Sequence, residues 1–170
     1  MRSVEVSVFT RHAYHACPSG NAEAAVVVRA QRGEMAAQSE LVRRYRTRIS
    51  AFVRPYLALP SAVEDIVQMG FIKVVRRIGL LRDARTFESW LFTLARNTAL
   101  DAIRRACKVS ADAHVRAMQV TRPGRGEWEI QAEVEYAFKR AGAKAPGYTT
   151  IAGSGPNACI LHYVTNDRRM

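Results

Sequence analysis

Between Leu100 and Met118 the run LDAIRRACKVSADAHVRAM contains neither Gly nor Pro, and its apolar residues recur at helical spacing. A stretch of this kind pairs its own backbone groups as a helix, and nothing within it would stop one. It follows directly on FESWLFTLARNTALDAIRR, where Phe87, Leu91, Leu94, Thr98 and Ala102 make one apolar stripe. The chain is therefore built around uninterrupted helix. The residues before about Ala106 nevertheless differ in character from those after it.

Upstream, the spacing predicts a short helix over 21–32 that stops near Gly33, and a longer one over 35–57. Leu41, Tyr45, Ile49, Phe52, Val53 and Tyr56 form the stripe of the second, and Pro55 should bend or fray its last turn. The run PSAVEDIVQMGFIKVVRRIG is the clearest helix. Val63, Ile66, Val67, Gly70, Phe71, Val74 and Ile78 follow one buried face, and Gly79 ends it. Ser61 with Glu64 reads as a capping box behind Pro60. Asp65, Gln68, Met69 and Ile72 are left on the opposite face. Two apolar side chains on a polar face suggest a partner surface, stray exposed hydrophobics being the alternative.

The charge narrows the partner. The chain carries 26 Lys and Arg against 15 Asp and Glu, net +11. Residues 1–107 hold 17 of those cations, 16 of them Arg, against 9 acids. Arg suits bidentate phosphate contacts, so a polyanion such as nucleic acid is one reading and a solvated basic surface the other. No apolar run approaches the ~20 residues needed to span a bilayer, and His12, His15 and Glu5 stand where a signal peptide has its apolar core. Three widely spaced cysteines, Cys17, Cys107 and Cys159, argue against a disulfide framework. A cytoplasmic protein without membrane attachment is expected. Residues 1–21 read as a loose tail. His12, His15 and Cys17 within it lack an evident fourth metal ligand.

After Arg105 the chain reads as helix to Met118, a turn at TRPGRG, and a helix EWEIQAEVEYAFKRAGA ending near Gly142. Gly, Ser and Pro loops follow, with a short β-like run from Cys159 to Val164. A lone strand needs sheet partners, and none is evident, so residues 143–170 are expected to pack poorly. Glu127, Glu129, Glu133 and Glu135 read as helix-surface acids rather than metal ligands.

Three blocks, RAQRGEMAAQSELVRRYRTRISAFV, AVEDIVQMGFIKVVRRI and FESWLFTLARNTALDAIRR, resemble in order and spacing region 2 of RNA polymerase sigma factors of the extracytoplasmic-function class. The resemblance covers about 22–106 and implies a three- to four-helix bundle. It also implies that the Asp65, Gln68, Met69 and Ile72 face docks on core RNA polymerase. It further implies that the loop Leu80–Thr86 and the last helix open the promoter −10 element and hold an unstacked base. Arg85, Arg96, Arg104 and Arg105 then become phosphate contacts and Asn97 a base-edge contact, as single-stranded DNA binding would use them. Phe87 and Trp90 suit the core better than stacking, and Asp101 is placed to hold Arg104 or Arg105. Met69 stands where the family usually has an acid, and Val75 where it often has an aromatic. No helix-turn-helix for the −35 element follows Arg105. An anti-sigma factor is a further candidate partner.

Residues 107–170, with CKVSADAHVRAMQVTRPG, EIQAEVEYAFKRAGAKAPGY and TTIAGSGPNACILHYVTNDR, resemble instead an internal piece of Xaa-Pro aminopeptidase, of the pita-bread metallopeptidase family. The resemblance implies a partial α+β fragment in which His162 is the remnant of an active-site wall. The family's metal ligands would lie further downstream, so no cofactor, metal site or enzymatic activity is expected. The chain thus reads as three parts, a tail over 1–21, a sigma region 2-like domain over 22–106, and a truncated aminopeptidase-like fragment over 107–170. Promoter binding within RNA polymerase holoenzyme is the expected function. An inactive aminopeptidase-like fragment and a non-functional fusion product are the alternatives.

Overall fold

The computed structural model describes residues 20–57 and 59–170. His12, His15, Cys17 and the proposed tail lie outside the described residues, apart from its last two. Five helices run in chain order: α1 Gly20–Gln31, α2 Met35–Val53, α3 Pro60–Arg77, α4 Phe87–Val120 and α5 Glu127–Arg140. Short 3-10 turns occupy Arg54–Tyr56, Ile78–Leu80, Ala84–Thr86 and Gly155–Cys159. Two compact units divide the chain, one ending at Arg96 and the other beginning at Asn97, so the division falls within α4. None of the described helices is long and apolar enough to cross a membrane.

The first unit buries most of the stripes its sequence predicts, with Phe52, Tyr56 and Leu94 only half-buried. Leu41, Tyr45, Ile49 and Val53 of α2 meet the core together with Val63, Ile66, Val67, Phe71 and Val74 of α3. Val26, Val27 and Ala30 of α1 complete it with Phe87, Leu91, Phe92 and Ala95 of α4. Phe87 stands edge-on to Tyr45 at 5.6 Å between centroids, and Phe92 edge-on to Phe52 at 4.9 Å. Such edge-to-face pairs are favoured because a positive ring edge meets a negative ring face. The Tyr45 hydroxyl is tied to the Glu23 carboxylate of α1 and lies 3.2 Å from Glu88 of α4, which also takes Arg48. One phenol thus joins three helices. Gly33, at φ +86, makes the left-handed turn between α1 and α2 that a side chain would disfavour.

Two local expectations change. The N-cap of α3 is Leu59, in extended conformation with no side-chain cap, and Pro60 takes the first helical position. The fixed φ of proline suits that place, and its missing N–H would be unpaired there anyway. Ser61 is thereby pushed one residue into the helix, and no capping box forms. Pro55 sits in the 3-10 turn that ends α2, as its ring predicts.

The second unit has no strand among its described residues, so the α+β part of the expectation is not met. Cys159 closes a 3-10 turn, and His162 takes φ 54, which breaks the extended run. An isolated bridge between Gly126 and Arg169 is all that resembles a ladder. A strand without a neighbour leaves its backbone groups unpaired, and here the Ile160 N–H closes a turn onto the Asn157 carbonyl at 3.1 Å instead. Most of 143–170 stays exposed, including Tyr148, Ile160, Leu161 and Val164, as expected of a segment that packs poorly, but it is tied down at a few points. Tyr163 and Asn166 are buried, and the backbone of Arg168 and Met170 bonds back to Glu127, Gly124 and Arg125 at 2.8–2.9 Å. Arg116 of α4 donates to Glu133 of α5 at 2.9 Å, joining the two helices of this unit.

Candidate polymerase and nucleic-acid surfaces

Where α2 and α3 lie side by side they leave an open groove of ≈ 640 Å³. From α3 come Asp65, Gln68 and Ile72, at the three- and four-residue spacing that stacks side chains on one helical face. Glu64, Val75 and Arg76 extend that face, and Val42 and Arg46 form the α2 wall. Ile72 is 45% exposed and Val75 43%. Met69, grouped with Asp65, Gln68 and Ile72 by sequence, is half-buried and does not line the groove. The groove therefore has an apolar floor with acids toward the α3 N-terminus and Arg76 toward its C-terminus. The α2 wall was not legible in the sequence, because Val42 and Arg46 acquire a role only through the packing of α2 on α3.

The loop between α3 and α4 is braced from within. The Asp83 carboxylate accepts from the Arg85 backbone N–H at 3.0 Å and from its guanidinium at 3.1 Å. That hydrogen bonding holds the Asp83 carboxyl below its ordinary range and raises Arg85. Thr86 Oγ1 donates to the Asp83 carbonyl at 2.8 Å. The loop is also held from α1, where Gln31 Nε2 donates to the carbonyls of Ile78 at 3.0 Å and Leu81 at 2.8 Å. Phe87 is fully buried and Trp90 half-buried.

Arg96 is exposed on α4 at the end of the first unit. In the second unit Asn97, Arg104 and Arg105 are exposed on the same helix. Asp101 pairs with Arg104 at 3.2 Å, which settles which of the two arginines it holds.

The C-terminal unit corrects a further expectation. Glu127, read as a surface acid, is fully buried. Its Oε1 accepts from the Ser154 N–H at 2.6 Å and Ser154 Oγ at 2.7 Å, and its Oε2 from the Arg168 N–H at 3.0 Å. The Tyr163 hydroxyl lies 3.0 Å from Oε2 and 2.7 Å from the Asp167 carboxylate. Burial pushes the Glu127 carboxyl up, and the hydrogen bonds from Ser154, Arg168 and Tyr163 outweigh it, holding it at about 2. Burial likewise raises the Tyr163 hydroxyl, to about 12. No local pattern announces this arrangement, since the donors lie 27 to 41 residues further on.

The other acids of α5 are engaged too. Glu129 accepts from the Gly126 N–H, Glu133 from Arg116 and Glu135 from Gln131. His162 is exposed. Among the described residues no three His, Cys, Asp or Glu side chains are grouped as metal ligands. A two-metal hydrolase needs free carboxylate oxygens converging on the ions, and this donor set does not fit such a pair.

Comparison with known families places these observations in two classes. Residues 41–108 match the family model for sigma-70 region 2, and residues 101–170 match metallopeptidase family M24. The chain thus carries a stretch similar to sigma-70 region 2 followed by one similar to that peptidase family, and the two matches overlap over 101–108, within α4. Among individual proteins, it is 48% identical to the Xaa-Pro aminopeptidase of Escherichia coli K12 over 68 residues, covering 40% of this chain and 15% of that protein. To the enzyme of the same name from Haemophilus influenzae it is 46% identical over 66 residues, 39% of this chain and 15% of the other. The human Xaa-Pro dipeptidase is 36% identical over 74 residues, 41% and 15%. The chain spans about 15% of the length of these relatives. A solved structure of an engineered region 2 of sigmaE in complex with GTAAAA is 33% identical, covering 48% of this chain and 84% of the other, with a TM-score of 0.45.

Proposed function

We propose that the chain acts in transcription initiation as a sigma region 2 protein, docking on core RNA polymerase and binding the melted −10 strand of a promoter. One observation carries this reading: inside the stretch that matches sigma-70 region 2, Asp65, Gln68 and Ile72 line an open, partly apolar groove. An exposed groove with an apolar floor and charged ends suits a partner helix. DNA contacts are assigned to Arg85, Arg96, Arg104 and Arg105, with Asn97 toward a base. An anti-sigma factor, competing for the polymerase surface, would act in the cytoplasm with the holoenzyme. The proposed parts are the tail over 1–21, the sigma domain over 22–106 and the peptidase-derived fragment over 107–170.

The test separates the two surfaces. With core polymerase present, the full chain should bind single-stranded −10 DNA with an affinity that falls steeply with salt, because Arg–phosphate contacts release counterions. Arg96→Ala, Arg104→Ala and Arg105→Ala should each weaken binding to all sequences and reduce the salt slope by about one. Asp65→Ala with Gln68→Ala should lower affinity for core polymerase and leave the salt slope alone. If all these variants behaved alike, the two-surface reading would be wrong.

A second reading rests on the identity to Xaa-Pro aminopeptidase, under which residues 107–170 would carry peptidase chemistry. The engaged acids of α5 speak against it. With Mn²⁺ or Zn²⁺ supplied, no Xaa-Pro peptide should be hydrolysed. Release of the N-terminal residue that a chelator abolishes would restore the enzyme reading.

A further inference from the structure

The loop that the reading above assigns to the unstacked base has an anchor outside itself. Gln31 ends α1, and its Nε2 uses both N–H groups, one on the Ile78 carbonyl at 3.0 Å and one on the Leu81 carbonyl at 2.8 Å. These two carbonyls bracket Gly79 and Leu80. Leu80 is 78% exposed, whereas Ile78 is buried at 3%, so the anchor lies where the chain leaves the core and begins to present side chains outward. Past Leu81 the loop is held by Asp83, Arg85 and Thr86 among themselves. The Ile78 carbonyl also accepts from the Leu81 N–H at 3.1 Å, which closes the 3-10 turn that Gln31 clasps.

We propose that Gln31 is a positioning residue for base selection: it fixes the Ile78–Leu81 turn, and so the place of Leu80, without touching DNA itself. This rests on the DNA reading above. A neutral amide is the chemistry the site needs. Two carbonyl oxygens must be met by two donors on one atom, and a carboxylate there would set oxygen against oxygen. The Arg–phosphate contacts supply affinity without regard to sequence, whereas selection among bases depends on how accurately a pocket rim is held. Loss of Gln31 should therefore damage selection and spare the electrostatic part of binding.

The experiment uses the full chain with core polymerase and a set of single-stranded hexamers that differ by one base at a time, at two or more salt concentrations. Gln31→Met keeps the length and the helix propensity and removes both donors. It should reduce the preference at one base position by roughly tenfold, about what a good base-edge contact confers, with the salt slope unchanged. Gln31→Lys restores donors on a similar stem, at a helix C-terminus where a cation is favoured, and should recover most of the preference. Gln31→Glu should behave like the Met variant or worse. A Met variant with wild-type base preference overturns the assignment. So does a folded Lys variant that has lost the wild-type base preference, and this arm stays decisive even if the Met variant fails to fold. A wild-type chain that shows no base preference at any position overturns the DNA reading and this inference together. The wild-type profile therefore tells the two failures apart.

Discussion

Replacing Glu127 with Ala or Gln should release residues 143–170 from the C-terminal unit, raising their rate of limited proteolysis at least about tenfold, since cleavage tracks the population of the open form. Glu127 is the point on which that segment converges. Its carboxylate gathers Ser154, the Arg168 N–H and the Tyr163 hydroxyl, and Asn157 Nδ2 lies 3.3 Å from Oε2. Alanine would leave those donors without an acceptor, and glutamine would turn an N–H group toward some of them. Acid should do the same to the wild type. The folded carboxyl, held at about 2, lies below its ordinary 4.5. Its stabilising effect is therefore complete above about 4.5 and is lost as pH falls toward 2. Tyr163, raised from 10.0 to about 12, favours the fold below 10 and ceases to do so as pH rises through 12. Trp128 stacks under the Arg169 guanidinium at 5.3 Å and can report both limbs by fluorescence in a Trp90→Phe background. A C-terminal segment equally protected in Glu127→Ala, or in wild type at pH 2, would contradict this account.

In the unit ending at Arg96, Phe87→Ala should cost about 3–5 kcal/mol, the usual range for emptying a fully buried aromatic site. Phe87 is 0% exposed and stands against Tyr45 and Trp90, so neither can fill the space without leaving other contacts. Ile72→Ala, at 45% exposure, provides the contrast and should stay within about 0.5 kcal/mol. Chemical denaturation followed through Trp90, in a Trp128→Phe background, measures both. Equal losses would mean that Phe87 is not the core residue its burial indicates.

What the chain revealed about itself depended on the range of the interaction. The positions Val63, Ile66, Val67, Phe71 and Val74 were legible because burial on a helix follows a local period, and all five are buried. Asp65, Gln68 and Ile72 were legible for the same reason, as the remainder of that period. Val42 and Arg46 were not, because they face the groove only through the packing of α2 on α3. The Ser61 cap was misread because Pro60 competes for the same turn and fits its first position better. Glu127 was misread because four acids in nine residues look like a solvated helix, while the donors that bury one of them come from distant turns. The β-like run failed for the converse reason. Its residues favour a strand, but no neighbouring strand pairs with it among the described residues, and the Tyr163 hydroxyl turns inward to the Glu127 and Asp167 carboxylates instead.

The unbroken course of α4 through Val120 has a consequence for Arg104 and Arg105. In an α-helix each carbonyl bonds to the N–H four residues on, and the last four carbonyls of any helix go without. The carbonyls of these two arginines therefore depend on the N–H groups of Lys108 and Val109. A fragment cut at residue 107 would place both arginines in a frayed final turn, their side chains no longer aimed. Lys108 and Val109, the second of them beyond the stretch that matches sigma-70 region 2, thus brace the turn that carries both arginines. A fragment intended to preserve the arginine-bearing face needs at least one further turn of α4 past residue 107.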